Sequence, residues 1–227
     1  MPRRFSDGRY LFGYSKYTDI SSEYERQDSH IYFARLENID DDPLPCDLIT
    51  TNLPDDENGI TVPAGANGSV AQEPSIAELP DGRLICTLRN IQGSVYYTVS
   101  SDMGHTWRAP EPMCFDDGSR IVHPLSPCPI YRLDEQRYIL LFHGRVSEDG
   151  IWFPRNPIRK VYGTFSPDSH QPIRFKKGSD EVLMTLPEQA HAVGQFGLAM
   201  YGSHTKIQGR DILWYPDRKF FLLGKEI

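Results

Sequence analysis

The sequence lacks any hydrophobic run long enough to cross a membrane as a helix. Its longest apolar runs, residues 138–142 and 220–223, fall far short of the ~20 residues that a helical span requires. Residues 1–8 contain no apolar stretch of the kind that a signal peptide carries. We therefore expect neither a membrane-spanning segment nor a signal peptide in this chain, and no membrane partner.

Positive charge is also scarce. The chain of 227 residues has 24 Lys and Arg against 31 Asp and Glu, which gives a net charge of −7. Such a chain has no general electrostatic attraction for nucleic acid, so a nucleic-acid partner is not expected. Hydrophobic residues make up 39% and aromatic residues 11%, which is too much for a disordered chain. The composition favours a folded, loop-rich protein.

Metal-ligand patterns are missing. The four cysteines, Cys46, Cys86, Cys114 and Cys128, form no CxxC pair, and nothing in their spacing demands a disulfide. The seven histidines include no HExxH motif, so we expect no metal and no cofactor. Four of them are expected to be hydrogen-bonded loop residues rather than a proton relay: His123, His143, His191 and His204.

Helical periodicity is absent as well, since no stretch keeps an i, i+3, i+4, i+7 apolar pattern over three turns. The 18 Gly and 18 Pro residues instead separate short runs rich in Val, Ile, Tyr, Phe and Leu, a pattern typical of strands. These runs are residues 9–14, 30–36, 75–79, 83–88, 94–100, 138–142, 160–165, 211–215 and 219–223. The sequence predicts an all-β fold.

A turn-and-strand segment recurs along the chain. Residues 74–85 echo residues 2–11, with Asp-Gly turns at 81–82 and 7–8; residues 129–139 repeat the pattern with a longer turn, and 201–213 repeat it loosely. A second element recurs at 95–102, 161–168 and 31–36. Recurring units of a few short strands are the signature of propeller blades. We expect about four blades in one domain, residues 1–227.

Residues 38–72 interrupt the repeat. Asp40, Asp41, Asp42, Asp55 and Asp56 lie here among several Pro and Gly residues. Acidic, turn-rich segments are usually solvated loops, so this stretch is expected to be an inter-blade connection without chemistry.

Residues 100–107, SSDMGHTW, fit the Asp box S-x-D-x-G-x-x-W at every defined position. Such a box works as a hairpin: Asp102 accepts backbone N–H bonds, Gly104 takes a positive φ, and Trp107 fills the blade core. We therefore assign the box a structural role and no catalytic one.

The segment before the box carries a family resemblance. Glu73 precedes Arg89 by sixteen residues (89 − 73), with the Asp-Gly turn between them and the box eleven residues beyond Arg89. This order resembles the sialidase (neuraminidase)/BNR-repeat propeller family from Glu73 onward, whereas residues 1–40 match only as a generic blade. The resemblance implies a six-bladed propeller type, about four blades of which lie in this chain.

Two further segments resemble that family. Arg155, in the triplet Arg-Asn-Pro, matches an arginine that precedes a strand in sialidases, and Arg159 competes with it for this position. Tyr201 opens the segment YGSHTKIQGR, which resembles the strand and turn of the sialidase catalytic tyrosine.

The resemblance implies a retaining hydrolase of terminal sialic acid or a related acidic sugar. Arg89 and Arg155 or Arg159 would bind the substrate carboxylate, because guanidinium groups bind carboxylates bidentately. That carboxylate repels an anionic nucleophile, so Tyr201 would attack, with Glu73 as its base. The expected partner is a carbohydrate, a sialoside or another acidic glycan.

The first-blade arginine and the general-acid aspartate of the family have no match before Glu73. One alternative is therefore that the chain is an inactive fragment of such an enzyme. Two others stay open: a non-catalytic carbohydrate-binding propeller, and a propeller hydrolase of another sugar that pairs Glu73 with Asp211 or Asp217.

Overall fold

A computed structural model describes residues 3–17, 28–64, 68–144, 155–185, 200–217 and 221–227. Within these ranges the chain forms antiparallel strands, one short 3-10 turn at Ile39–Asp41, and no α-helix. No helix in the described ranges is long and apolar enough to cross a membrane. The all-β expectation is confirmed.

The first two sheets follow one another along the chain and have four strands each. The first has the order β1 (Arg3–Arg4), β2 (Tyr10–Tyr17), β3 (Ser29–Leu36), β4 (Thr50–Leu53). The second has the order β5 (Gln72–Glu78), β6 (Leu84–Arg89), β7 (Tyr96–Ser100), β8 (Glu111–Pro112).

The third and fourth sheets repeat this up-and-down order. The third contains β9 (Ile130–Arg132), β10 (Arg137–Phe142), β11 (Ile158–Phe165) and β12 (Ile173–Phe175), with β13 (Glu181–Met184) also paired to β11. The fourth contains β14 (Ser203–Ile207), β15 (Arg210–Asp217) and β16 (Phe221–Glu226). Four consecutive meander sheets are four propeller blades, as the repeat predicted.

The repeated turn has one geometry in the first three blades. In each, an Arg guanidinium donates from Nε to the turn Asp carboxylate, at 2.7, 2.8 and 2.6 Å. These pairs are Arg9–Asp7, Arg83–Asp81 and Arg137–Asp134. The similarity between the segments therefore comes from a local hairpin that joins the first two strands in each of these three blades.

The Asp box forms the hairpin expected of it. The N–H of Thr106 donates to Asp102 Oδ1 at 2.9 Å, and Gly104 has a φ of +94°. Trp107 stacks on Phe33 of the first blade at 5.0 Å between ring centroids. Burial alone would raise the pKa of Asp102, but hydrogen bonds from Thr106 and Ser100 hold that pKa below its ordinary value. The box joins two blades and has a structural role.

Residues 38–72 differ from the expectation. They contain β4, which completes the first blade by pairing Leu53 with Phe33, and Leu53, Ile60 and Val62 are buried. The acidic residues occupy the turns that flank these apolar positions. Composition averaged over the segment therefore concealed a strand, because a four-residue strand contributes few apolar side chains to the average.

Three hydrophobic clusters fill the spaces between neighbouring blades. The first joins blades one and two around Phe33 and Leu84, the second joins blades two and three around Tyr97 and Tyr138, and the third joins blades three and four around Leu213. Cys86 is buried, as its strand pattern predicted, and Cys46, Cys86, Cys114 and Cys128 are free thiols.

Candidate functional site

A cleft of about 630 Å³ opens where the inner strands of the four blades meet. It is lined by residues 12–15 of the first blade, 73–76 of the second, 127, 129 and 131 of the third, and 200–205 of the fourth. Because β5 packs between β2 and β9, its first residues lie in the middle of the cleft wall. Glu73 is one of them.

A β-bulge turns Glu73 out of the ladder. From Glu78↔Leu84 to Ser75↔Thr87, β5 and β6 pair in a constant register. Continuing this register would place Glu73 opposite Arg89. Instead Gln72 pairs with Arg89, the register shifts, and Glu73 takes a φ of +47°. For a residue other than glycine, this backbone conformation costs roughly 1–3 kcal/mol. Bulges commonly redirect side chains beside functional sites.

Three of the five predicted site residues form one hydrogen-bonded cluster. The Tyr201 hydroxyl donates to Glu73 Oε1 at 2.6 Å, and Arg89 Nη1 donates to the same oxygen at 2.9 Å. The Arg89 side chain is only 10% exposed, so its charge is held close to Glu73 rather than in solvent. Tyr201 and Glu73 lie 128 residues apart, and the contact joins the second and fourth blades.

The cluster has unused hydrogen-bonding capacity. Among the described residues, Glu73 Oε2 and Arg89 Nε are buried and have no hydrogen-bond partner. Buried polar atoms are normally paired, and exceptions are concentrated at functional sites. One acceptor and one donor are therefore available beside the cleft for a polar ligand.

The environment of Tyr201 favours its protonated form. Burial of its hydroxyl end, the hydrogen bond to Glu73 and the negative charge of Glu73 raise the pKa of Tyr201 to about 12, whereas the charges of Arg89 and Arg155 act to lower it. A tyrosine with this pKa is neutral at pH 7, and it needs an adjacent base to become a nucleophile. Glu73 occupies that position.

The two candidate arginines of the third blade are in different places. Arg155 lies close enough to Tyr201 to affect its pKa, and its Nη2 donates to the carbonyl of Leu125. Arg159 is ion-paired with Asp180 and lines a different cleft, together with Arg120 and Lys177. The structure brings Arg155 and not Arg159 toward Tyr201. Neither Arg89 nor Arg155 is among the residues that line the cleft beside Tyr201.

Glu73 is the one carboxylate among the described residues that line the cleft beside Tyr201. Asp211, one of the alternative partners for Glu73, is bonded to His204 and Lys206, and these contacts lower the pKa of Asp211 even though burial opposes this. The side chain of Asp217 lies outside the described residues, as does His191. No group of three or more metal-ligating side chains occurs in the described part of the chain.

The residue patterns did not indicate several features of the cleft. Ser15 accepts the Glu73 N–H at 3.0 Å and so holds the bulge from the first blade. Phe12, Tyr14 and Met200 supply apolar walls. No local sequence pattern marks these residues, because they reach the site from the first and fourth blades, far along the chain from Glu73.

No family model matches the sequence, and no curated protein matches it either. Solved structures do match the fold. The intramolecular trans-sialidase of Ruminococcus gnavus superposes with a TM-score of 0.57 at 16% identity, over 94% of this chain and 38% of that one. The leech intramolecular trans-sialidase superposes with a TM-score of 0.58 at 16% identity, over 97% of this chain and 29% of that one.

The fold is not confined to sialidases. The catalytic domain of an α-L-arabinofuranosidase from Coprinopsis cinerea superposes with a TM-score of 0.54 at 12% identity, over 99% of this chain and 62% of that one. The chain therefore has the β-propeller fold of sialidases and of other glycoside hydrolases. It spans 38% of the length of the Ruminococcus gnavus structure and 29% of the length of the leech structure.

Proposed function

We propose that the chain is part of a sialidase-like exo-glycoside hydrolase that acts on terminal sialic acid or a related acidic sugar. The observation that carries this proposal is the contact of Tyr201 Oη with Glu73 Oε1 at 2.6 Å, with Arg89 on the same oxygen. The propeller folds of sialidases and of other glycoside hydrolases support the broader assignment to carbohydrate chemistry. Fold alone does not define a reaction, so the residues of the site must decide it.

In the first step Tyr201 Oη attacks the anomeric carbon of the sugar and passes its proton to Glu73. A neutral nucleophile suits a substrate that carries a carboxylate on that carbon, because an anionic one would be repelled. The bond to the leaving oxygen breaks as the tyrosyl ether forms. Water then attacks the anomeric carbon, the bond between the sugar and Tyr201 breaks, and Glu73 returns its proton to Tyr201. The proton lost by water replaces the one that the leaving oxygen took up, and the sugar is released with net retention.

Binding of the substrate carboxylate is assigned to Arg89 and Arg155. Both carry permanent charge, and both already act electrostatically on Tyr201. Arg159 would not take part, since Asp180 holds it at another cleft. As tyrosinate character develops during attack, the same two arginines would stabilise it, because opposite charges at short range favour the ionised form.

Protonation of the leaving oxygen calls for a separate acid, and Glu73 is the one carboxylate among the described residues that line the cleft. A substrate with a good leaving group needs no such acid. The test is therefore hydrolysis of a 4-methylumbelliferyl sialoside by this chain, compared with a sialyl-lactose, whose leaving alcohol needs protonation.

A 3-fluorosialosyl fluoride gives the sharper measurement, because it slows release of the covalent intermediate. We expect a mass increase of one fluorosialosyl group on the peptide that contains Tyr201, and none in Tyr201→Phe. Reversible binding of the sugar without labelling would instead favour a non-catalytic carbohydrate-binding propeller. The observation that favours this alternative is that the described residues lining the cleft include one carboxylate, Glu73, and no second one.

A further inference from the structure

Two buried histidines in the third blade, His123 and His143, are not used by the proposed chemistry. His123 and His143 are 1% and 0% exposed, and their rings stack with 5.4 Å between centroids and 6° between planes. His123 begins the segment that leads into β9, and His143 follows β10. The pair therefore lies where two strands of the third blade approach the cleft.

The hydrogen bonds of His123 determine where its proton lies. The backbone N–H of His143 donates to His123 Nδ1 at 3.1 Å. Since a backbone N–H can only donate, Nδ1 carries no proton. The proton is then on Nε2, which donates to the carbonyl of Ser126 at 2.9 Å.

The same reasoning gives His143 the opposite tautomer. Its Nδ1 lies 2.9 Å from the carbonyl of Pro157, which can only accept, so Nδ1 carries the proton. Burial lowers the pKa of His143 to about 4, so the ring is neutral at pH 7 and its Nε2 is an acceptor for the Ser126 hydroxyl at 3.2 Å. Both rings are neutral, and every bond in the set has a fixed direction.

Ser126 closes this set into a ring that passes from His143 to His123, to Ser126 and back to His143. The neighbouring Leu125 carbonyl accepts the Arg155 guanidinium, and Pro127 and Pro129 of the same loop line the cleft. The ring thus connects directly to the segment that holds Arg155 and forms one wall of the candidate site.

We propose that His123, Ser126 and His143 are positioning residues, whose proton-ordered hydrogen-bond ring holds Arg155 and the Pro127–Pro129 wall in place. The link to carboxylate binding rests on the proposed function, whereas the ring itself does not. Protonating either histidine removes its acceptor nitrogen and breaks one bond of the ring. It also adds a positive charge near Arg155, the charged side chain that faces both rings.

Acid is therefore expected to open the ring. Burial lowers the pKa of His123 to about 3 and that of His143 to about 4, with the charge of Arg155 adding to both effects. These values lie below the ordinary value of about 6.5, so the stability that the neutral rings contribute is present above that pH and is lost as the pH falls. Each histidine then raises the unfolding equilibrium constant about tenfold per pH unit between about pH 6 and its own pKa, which is about 3 for His123 and about 4 for His143.

Nitrogen-15 NMR of the full chain tests the ring without any sugar. We expect His123 protonated at Nε2 and His143 at Nδ1, with neither ring titrating between pH 5 and 8. The opposite tautomer at either residue, or a titration near the ordinary pKa, would overturn the proposal.

Hydrogen exchange tests the positioning role. Ser126→Ala removes the hydrogen bond from the Ser126 hydroxyl. His143→Asn keeps an N–H donor for the Pro157 carbonyl but has no acceptor at the position of His143 Nε2. We expect faster amide exchange in residues 123–129 and 155–158 together in both variants, and no change in His170→Asn, whose side chain is 71% exposed. A change confined to one of the two segments contradicts coupling through the ring.

Binding separates this inference from the proposed function. The probe is 2,3-didehydro-2-deoxy-N-acetylneuraminic acid, with its methyl ester as the neutral control. Ser126→Ala should weaken acid binding roughly 3- to 10-fold, the equivalent of one hydrogen bond, and leave ester binding unchanged. If the unsubstituted chain and Ser126→Ala bind the acid equally well, the positioning role is rejected. If the unsubstituted chain does not bind the acid, the proposed function fails, and NMR and exchange still decide on the ring.

Discussion

The same tyrosine–glutamate contact occurs twice within the described part of the chain. Tyr201 donates to Glu73, and Tyr97 donates to Glu111, each with 2.6 Å between the hydroxyl and Oε1. Tyr97 is 1% exposed, whereas Tyr201 is 52% exposed. Two contacts of equal length therefore lie in opposite surroundings, one with its ring in the core between blades and one at the edge of the cleft.

The partners differ in how they are held. Glu111 lies directly opposite Tyr97 in the β7–β8 ladder and is also bonded to His170. Glu73 lies on a bulge with positive φ, and its second oxygen is buried without a partner among the described residues. Hydrogen-bond length alone thus does not identify a site. Exposure of the tyrosine, strain in the backbone and spare polar capacity distinguish the two pairs.

The largest contrast is expected in activity. Removing the nucleophilic hydroxyl with Tyr201→Phe should lower kcat/KM on a 4-methylumbelliferyl sialoside by about 10³-fold or more. Tyr97→Phe should leave the rate within about twofold, because that hydroxyl serves only the fold. Steady-state fluorescence assays compare the two variants, and equal losses in both would erase the distinction between the pairs.

Stability should show the reverse order. Tyr97→Ala leaves a cavity in the core between the second and third blades and should cost about 3–5 kcal/mol of unfolding free energy. Tyr201→Ala removes a half-exposed ring and should cost about 1 kcal/mol or less. Urea denaturation followed by tryptophan fluorescence measures both. A larger cost at Tyr201 would mean that this pair is part of the structural core.

Backbone strain predicts a smaller difference of opposite sign at the two glutamates. Glu73→Gly should be more stable than Glu73→Ala by about 1 kcal/mol, because glycine accepts a positive φ without strain. Glu111→Gly should be less stable than Glu111→Ala by about 0.5–1 kcal/mol, as is usual in a strand. Thermal unfolding of the four variants decides this, and the same sign at both positions would argue against strain at Glu73.

The smallest effect concerns the tyrosine pKa values. Glu73→Gln keeps a hydrogen-bond acceptor but removes the charge, so the pKa of Tyr201 should fall below about 12, while burial, the largest cause of its shift, keeps it above its ordinary value. Glu111→Gln should leave the pKa of Tyr97 farther above its ordinary value, since burial is the main cause at both tyrosines and Tyr97 is the more deeply buried. Carbon-13 NMR at Cζ follows each ring. An unchanged Tyr201 pKa would show that the charge of Glu73 does not act on its hydroxyl.

Much of the fold was predictable because its signals are local. The Asp7-Gly8 and Asp81-Gly82 turns and the Asp box each depend on residues within a few positions of one another, and each forms as expected. Alternation within the longer strands is equally local. The strand β4 escaped prediction because Leu53 is its one buried residue, and its pairing with β3 is what stabilises it.

Local sequence patterns predicted the candidate site only where it falls within one hairpin, whereas Tyr201 as the partner of Glu73 was predicted only through the family resemblance. The sixteen-residue spacing of Glu73 and Arg89 across the Asp81-Gly82 turn places them side by side, and they form an ion pair at 2.9 Å. The bulge that turns Glu73 toward the cleft left no sequence signal. The choice between Arg155 and Arg159 also stayed open in the sequence, since it depends on Asp180 holding Arg159 elsewhere.

By itself, the sequence determined the all-β class, the repeated hairpins and the Glu73–Arg89 pair, because short-range hydrogen bonding and strand alternation are encoded by neighbouring residues. Only the tertiary structure decided that Tyr201 meets Glu73 across 128 residues and that Tyr97 does not line the same cleft. Those outcomes depend on how the blades pack against one another. The hydrophobic clusters that stabilise this packing are shared between neighbouring blades, so they form only when the blades come together.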